Sequence, residues 1–174
     1  PLKTAPRRAT LLSSQRSPLS LISPSPPLPV SLSPPLAFLY EPDPALLRAG
    51  LVTTLAAQLG AHQLDPDIAY LTSDRFTPTP FARAFAIEAT MPFSQKRLRE
   101  KLRAMNVGNV TVKKRGSPLD PDDFARSLKL KGDEERIVFL THVNGKPWAL
   151  IGQSLAGSDK RQTTREPSML PPDL

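Results

Sequence analysis

The sequence predicts an α+β fold: a β-α-β-α-β-β core with two helices packed on one face of a four-stranded sheet, preceded by an N-terminal helix and a short strand. Three observations predict it. Between residues 84 and 152 the apolar spacing passes from period two to a helical period and back, twice. Asp43 and Asp120 each precede a proline at the head of a helical stripe, a favourable cap arrangement. Asn144-Gly145 joins two apolar runs, the strongest short-range hairpin signal. Placing both helices on one sheet face is the economical way to bury the apolar stripes.

Residues 1–39 read as a Pro/Ser/Leu-rich linker. They hold Lys3, Arg7, Arg8 and Arg16 and no acidic residue. Prolines at 18, 24, 26, 27, 29, 34 and 35 oppose helices and deny a sheet its ladder donors, so an extended polyproline-like state is expected. Prolines also interrupt every apolar run that a signal peptide would use. The first residue is Pro1, and the chain is expected to be part of something longer.

The folded unit is expected over 40–152. A helix from Pro44 to about Leu59 aligns Leu47, Leu51, Leu55 and Leu59, with Gly60 as its C-terminal cap. Asp65-Pro66 signals a turn or short helix, Ile68–Leu71 a short strand, and Ser73–Pro80 a loop. In the next strand, Ala84–Thr90, Phe85, Ile87 and Ala89 alternate with Ala86, Glu88 and Thr90. A helix follows with Leu98, Leu102 and Met105 on one face, then a turn at 106–109 and a strand in which Val110 and Val112 alternate with Thr111 and Lys113. The three carboxylates at Asp120, Asp122 and Asp123 read as a helix cap and acidic first turn in preference to a metal site, with Leu119 and Phe124 as a hydrophobic staple and Gly132 as the stop. In the closing hairpin, Pro147 marks its strand as an edge strand. Residues 153–174 are polar and proline-containing, and a disordered tail is expected there.

Charge and composition narrow the function. The 174 residues carry 23 Lys and Arg against 16 Asp and Glu, a formal charge of +7 that favours nucleic acid or an acidic surface as partner. Cysteine is absent, which excludes disulfides, thiolate metal sites and cysteine nucleophiles. No apolar run is long enough for a membrane helix. There is no Gly-x-Gly and no phosphate loop, and His62 and His142 stand alone, so no catalytic, cofactor-binding or metal residues are assigned. Tyr70 and Trp148 are aromatic groups that could stack on bases.

The stretch from Phe93 to Gly116 concentrates the positive charge. Lys96, Arg97, Arg99, Lys101 and Arg103 flank the helical stripe, and Lys113, Lys114 and Arg115 end the following strand. A helix and a strand presenting cations side by side make a phosphate-binding surface, and these eight residues are the candidate nucleic-acid contacts. The alternative is a solvated basic face on a structural or protein-interaction domain, working through an apolar patch near Trp148.

Several motifs occur in a fixed order: Tyr40-Glu-Pro-Asp with Leu47-Arg-Ala-Gly50, Ile68-Ala-Tyr-Leu-Thr-Ser-Asp74, Pro80-Phe-Ala-Arg83, Pro92-Phe-Ser, Lys96-Arg-Leu-Arg, Val112-Lys-Lys-Arg-Gly116 and Leu130-Lys-Gly-Asp-Glu134. With Pro6-Arg-Arg-Ala-Thr-Leu11 near the start, this pattern resembles the C-terminal THUMP-like domain of bacterial class I S-adenosylmethionine-dependent methyltransferases. The resemblance implies a cytoplasmic, RNA-binding, substrate-presenting accessory domain, with tRNA or rRNA and a methyltransferase catalytic domain in cis as partners. It also implies that S-adenosylmethionine belongs to that catalytic domain, which this chain does not contain.

Overall fold

The computed structural model describes residues 7–13, 16–23, 29 and 31–155. In chain order the elements are β1 (Arg8–Ser13), β2 (Arg16–Ile22), β3 (Phe38–Pro42), α1 (Pro44–Ala49), α2 (Val52–Leu59), β4 (His62–Asp65) and β5 (Ile68–Ser73). They continue with β6 (Ala82–Pro92), α3 (Gln95–Ala104), β7 (Val107–Lys114), α4 (Pro121–Ser127), β8 (Glu134–Val143) and β9 (Lys146–Ser154). The β-α-β-α-β-β order from β6 to β9 is the expected one, and its four strands are adjacent. They form part of a seven-stranded sheet ordered β4-β5-β3-β6-β9-β8-β7, antiparallel except where β7 runs beside β8.

Residues 8–13 and 16–22 are not extended linker. They form an antiparallel pair whose Ala9 and Leu21 are buried against α1 and α2, because only Pro18 falls inside the two strands. The 153–174 tail lies outside the described residues from 156 onward, and β9 carries the sheet as far as Ser154. The single helix expected over 44–59 is broken: Gly50 adopts the left-handed conformation (φ 65°) and its N–H takes the carbonyls of Leu46 and Leu47, after which Leu51 starts α2. Similarly, α4 stops at Ser127, and Gly132 is required for another reason. A Cβ there would stand 1.9 Å from the Asn106 carbonyl oxygen, so it is a close backbone crossing and not a cap.

Further corrections concern strand position. Phe38–Pro42 is a central strand, and His62–Asp65 adds another beyond β5. β9 lies between β6 and β8, not at an edge. Pro147 is tolerated because its carbonyl accepts from Phe93 N at 2.9 Å. Its nitrogen, on the same side, faces the end of β6 and not the β8 ladder. A bulge between Ile87 and Ala89 shifts the alternation of β6 by one, so Ala89 points to the opposite face from Phe85 and Ile87.

The four described helices cover one face of the sheet. α1 and α2 bury Leu46, Leu51, Leu55 and Leu59 over Tyr40, Leu71 and Ala84. α3 and α4 bury Leu98, Leu102, Phe124 and Leu128 over Val138, Leu140, Ala149 and Ile151. The other face bears no helix, yet Leu39, Tyr70, Phe139 and Leu150 on it are fully buried. The sheet rolls on itself to enclose them. At one end β4 meets the β8–β9 turn, where Asn144 N donates to Leu64 O (3.1 Å) and Gly145 N to the Asp65 carboxylate (2.7 Å). Asn144 and Gly145 both have positive φ, as the hairpin signal requires.

Candidate nucleic-acid interface

The helix α3 rotates its cations into two groups. Gln95, Arg99 and Arg103, at four-residue spacing, face the C-terminal end of α4. Gln95 Nε2 donates to Ser127 Oγ (2.7 Å), Arg99 Nη2 to Ser127 O (3.1 Å) and Arg103 Nη2 to Lys129 O (3.3 Å). These guanidinium groups supply donors to carbonyls at a helix end that attracts positive charge. Arg99 is half-buried. Lys96, Arg97 and Lys101 are exposed, with Glu100 among them.

Strand alternation divides the second basic cluster. Lys113 and Arg115 point to the rolled face and Lys114 to the helix-bearing one. Lys113 Nζ lies 2.8 Å from Glu41 Oε2 of β3, and Arg115 Nη2 lies 3.6 Å from Glu41 Oε1. Lys113 also stands over the Phe85 ring at 5.5 Å, and the Arg115 guanidinium over Tyr70 at 5.1 Å. These two cations therefore tie β7 across the roll to β3 and β5. Lys114 is exposed near the Asp120 carboxylate. The eight sequence candidates thus occupy both faces of the sheet, and four of them (Arg99, Arg103, Lys113 and Arg115) have internal partners.

The aromatic candidates are committed to packing. Tyr70 is fully buried, and Trp148 packs beside Leu150 and Phe139. Burial holds the Tyr70 phenol well above its ordinary range, with the Glu41 charge adding in the same direction. Among the described residues its hydroxyl has no partner at good hydrogen-bond geometry; the Arg115 guanidinium lies against the ring and partly opposes the shift. Asp120 accepts from Asp122 N (3.0 Å) and Asp123 N (2.9 Å), so it is the helix cap. Those bonds, Asp123 first, hold its carboxyl below the usual range.

The structure adds two cations that the basic stretch did not include. Beyond α4, Lys129 (φ 47°) and Lys131 are exposed and join Arg103, Asn106 and Gly132 around an open cleft of about 470 Å³. Both lysines belong to Leu128-Lys-Leu-Lys131, where the left-handed Lys129 turns the chain out of α4 and toward the cleft. Arg103, Lys129 and Lys131 form no ion pair among the described residues, whereas the nearby Glu134 is taken by Arg136 (3.0 Å). The exposed cations of α3 and this cleft both lie on the helix-bearing face. Among the described residues no helix is long and apolar enough to cross a membrane.

This geometry lies within a recognisable unit. A THUMP domain-like family model matches residues 82–154, the span from β6 to β9. Two proteins of Mycobacterium tuberculosis, from strains CDC 1551 / Oshkosh and ATCC 25618 / H37Rv, are each named an uncharacterized S-adenosylmethionine-dependent methyltransferase. Each is 39% identical over 106 residues, covering 61% of this chain and 29% of the relative. The chain therefore spans less than a third of the length of those relatives. The crystal structure of a candidate methyltransferase from Porphyromonas gingivalis W83 superposes with a TM-score of 0.66 and 26% identity, over 87% of this chain and 38% of that one. Residues 82–154 accordingly match a THUMP domain-like family model, in a chain similar to proteins named as S-adenosylmethionine-dependent methyltransferases.

Proposed function

We propose that this chain is the RNA-binding, substrate-presenting accessory part of a cytoplasmic S-adenosylmethionine-dependent methyltransferase, acting on tRNA or rRNA. The observation that carries the reading is the convergence of Arg103, Lys129 and Lys131 on an open cleft, with Lys96, Arg97 and Lys101 exposed on the helix that bears Arg103. Such a surface neutralises backbone phosphates and fixes the position of an RNA without reading its sequence. The names of the relatives support a methyltransferase as the catalytic partner. The residues here do not suit the cofactor itself: the sequence has no Gly-x-Gly, and the open cleft joins three cations to Asn106, Val107 and Gly132. S-adenosylmethionine is therefore assigned to the partner domain, and this chain orients the substrate.

The test is RNA binding by the full chain across a salt series. Each phosphate neutralised contributes roughly −0.7 to −0.9 to the log–log slope. Lys101→Ala, Lys129→Ala and Lys131→Ala should each weaken unrelated RNAs about equally and flatten the slope by about one such increment. Unchanged affinity and slope in all three would leave the surface merely solvated. The second reading, a domain that docks on protein, then takes precedence. One observation favours it: the β1–β2 hairpin exposes large apolar side chains at both ends, Leu12 (80% exposed) near the turn and Ile22 (46%) opposite Arg8.

A further inference from the structure

Two sequence motifs that lie far apart in the chain meet at a second cleft, outside the THUMP-like span. Arg7 and Arg8, at the head of β1, come together with Leu47-Arg48-Ala49-Gly50 at the end of α1, around an open volume of about 470 Å³. The arrangement is anchored from both sides. Arg7 donates its backbone N–H to Ser23 Oγ (3.0 Å) and accepts from Ser23 N (2.9 Å), which fixes its place on the hairpin. On the other side, the left-handed turn at Gly50 brings the chain so close that a Cβ there would stand 2.5 Å from the Arg7 guanidinium. Gly50 is thus needed for its left-handed backbone conformation, and it leaves room for the Arg7 guanidinium.

The end of α1 accounts for one cation at most. Arg48 sits in its last turn, where positive charge is favourable, but the Gly50 N–H already occupies the carbonyls of Leu46 and Leu47. Arg7 and Arg8 have no such reason to be there. None of the three arginines forms an ion pair among the described residues; the Arg7 guanidinium stands beside Gly50, and Arg8 and Arg48 line the same exposed cleft.

We propose that the Arg7–Arg8–Arg48 cleft is a phosphate-binding site that grips a backbone phosphate of the RNA separately from the α3 surface. The proposal rests on the RNA reading above. A phosphate presents oxygens around one centre, so guanidinium forks arriving from two chain segments can converge on it. A carboxylate offers two oxygens in one plane and is satisfied by a single fork. The chemistry therefore favours a phosphate over an acidic peptide.

The experiment uses the full chain and two probes. Inorganic phosphate, titrated at ionic strength held constant with sodium chloride, should saturably shift the Gly50 amide and the Arg48 Nε–Hε resonances. Arg48→Gln should abolish that response while leaving the melting temperature in place. In an RNA salt series, Arg48→Gln and Arg8→Gln should each reduce the slope by roughly 0.7–0.9. A shift that chloride alone reproduces, or a wild-type slope in both variants, overturns the site. Lys129→Ala, run beside them, separates the two readings: if it flattens the slope and the arginine variants do not, RNA binding stands and this site falls. If a glutamate oligomer displaces phosphate from the cleft while the RNA slope is untouched, the site docks an acidic protein and the assignment to RNA is overturned.

Discussion

Glu41 is the position where the roll of the sheet can be tested directly. Its carboxylate receives Lys113 at 2.8 Å and Arg115 at 3.6 Å, and the three side chains are only 17%, 22% and 26% exposed. Breaking a fully buried pair from one side costs ~3–5 kcal/mol, whereas an exposed pair contributes ~0–1 kcal/mol. At this degree of exposure Glu41→Ala should cost about 2 kcal/mol, because it leaves two cations facing each other over Phe85 and Tyr70. In a chain of this size that corresponds to a fall in melting temperature of roughly 4–8 °C. Urea unfolding of Glu41→Ala, Lys113→Ala and the double variant should give a coupling energy of about 1 kcal/mol. Lys113→Ala should also leave the RNA salt slope unchanged, since this lysine is committed to the fold. A loss below ~0.5 kcal/mol with no coupling would refute the argument: β7 would not be tied across the roll, and Lys113 and Arg115 would return to the phosphate-binding set.

The other predictions follow from single contacts. Arg99→Ala should cost about 1–2 kcal/mol in chemical denaturation, more than an ordinary surface change, because its charged hydrogen bond to Ser127 O is lost from a half-buried site. Tyr70→Phe should be neutral or stabilising by up to ~1 kcal/mol, since it removes a buried hydroxyl without a well-aligned partner. Tyr40→Phe should cost ~1–3 kcal/mol, because Tyr40 Oη accepts from Thr77 N (2.7 Å) and donates to Arg75 O (3.3 Å). The raised Tyr70 phenol contributes stability that is complete below its unfolded value and is lost as pH rises toward the folded one, so Tyr70→Phe should resist alkaline melting better than wild type. Asp120 has the opposite sign: its depressed carboxyl contributes stability above the unfolded value that disappears as pH falls through the folded one. Asp120→Asn, which keeps the cap, should flatten the acid limb of the melting curve with little change at neutral pH.

Most of the fold between residues 82 and 154 was legible because local signals there agree with one another. Asp120-Pro121 caps α4, Leu119 and Phe124 staple it, and Asn144-Gly145 turns the hairpin. Upstream the signals compete. The density of prolines from 24 to 35 concealed the alternation of Ala9 and Leu11 with Leu19 and Leu21, which builds the β1–β2 hairpin. In the same way, Tyr40-Glu-Pro-Asp carries a cap so clear that the strand preceding it was read only as the entry to a helix. The stripe through Leu47, Leu51, Leu55 and Leu59 ignores Gly50, although a glycine inside a stripe is also how a chain turns between two helices.

The candidate site was legible in composition and only partly in geometry, and the periods explain why. On a helix, four-residue spacing places Arg99 and Arg103 together and away from Arg97 and Lys101, with Lys96, three residues before Arg99, on their flank. The split can be read from sequence, but not which group meets α4, because that depends on how two helices pack. On a strand, period two sends Lys113 and Arg115 to the face opposite Lys114. Sequence alone treats the side of a sheet without helices as open to solvent and suited to binding. Here that side is closed, because β3, β4 and β5 extend the sheet far enough for it to roll, and Glu41 waits on the far wall. The missing information was the number of strands. A four-stranded sheet would have left Lys113 and Arg115 facing water, and the seven-stranded one turns the same two side chains into its fastening. The proposed binding surface is thereby confined to the helix-bearing face, where Lys129 and Lys131 stand in for the pair that the roll consumes.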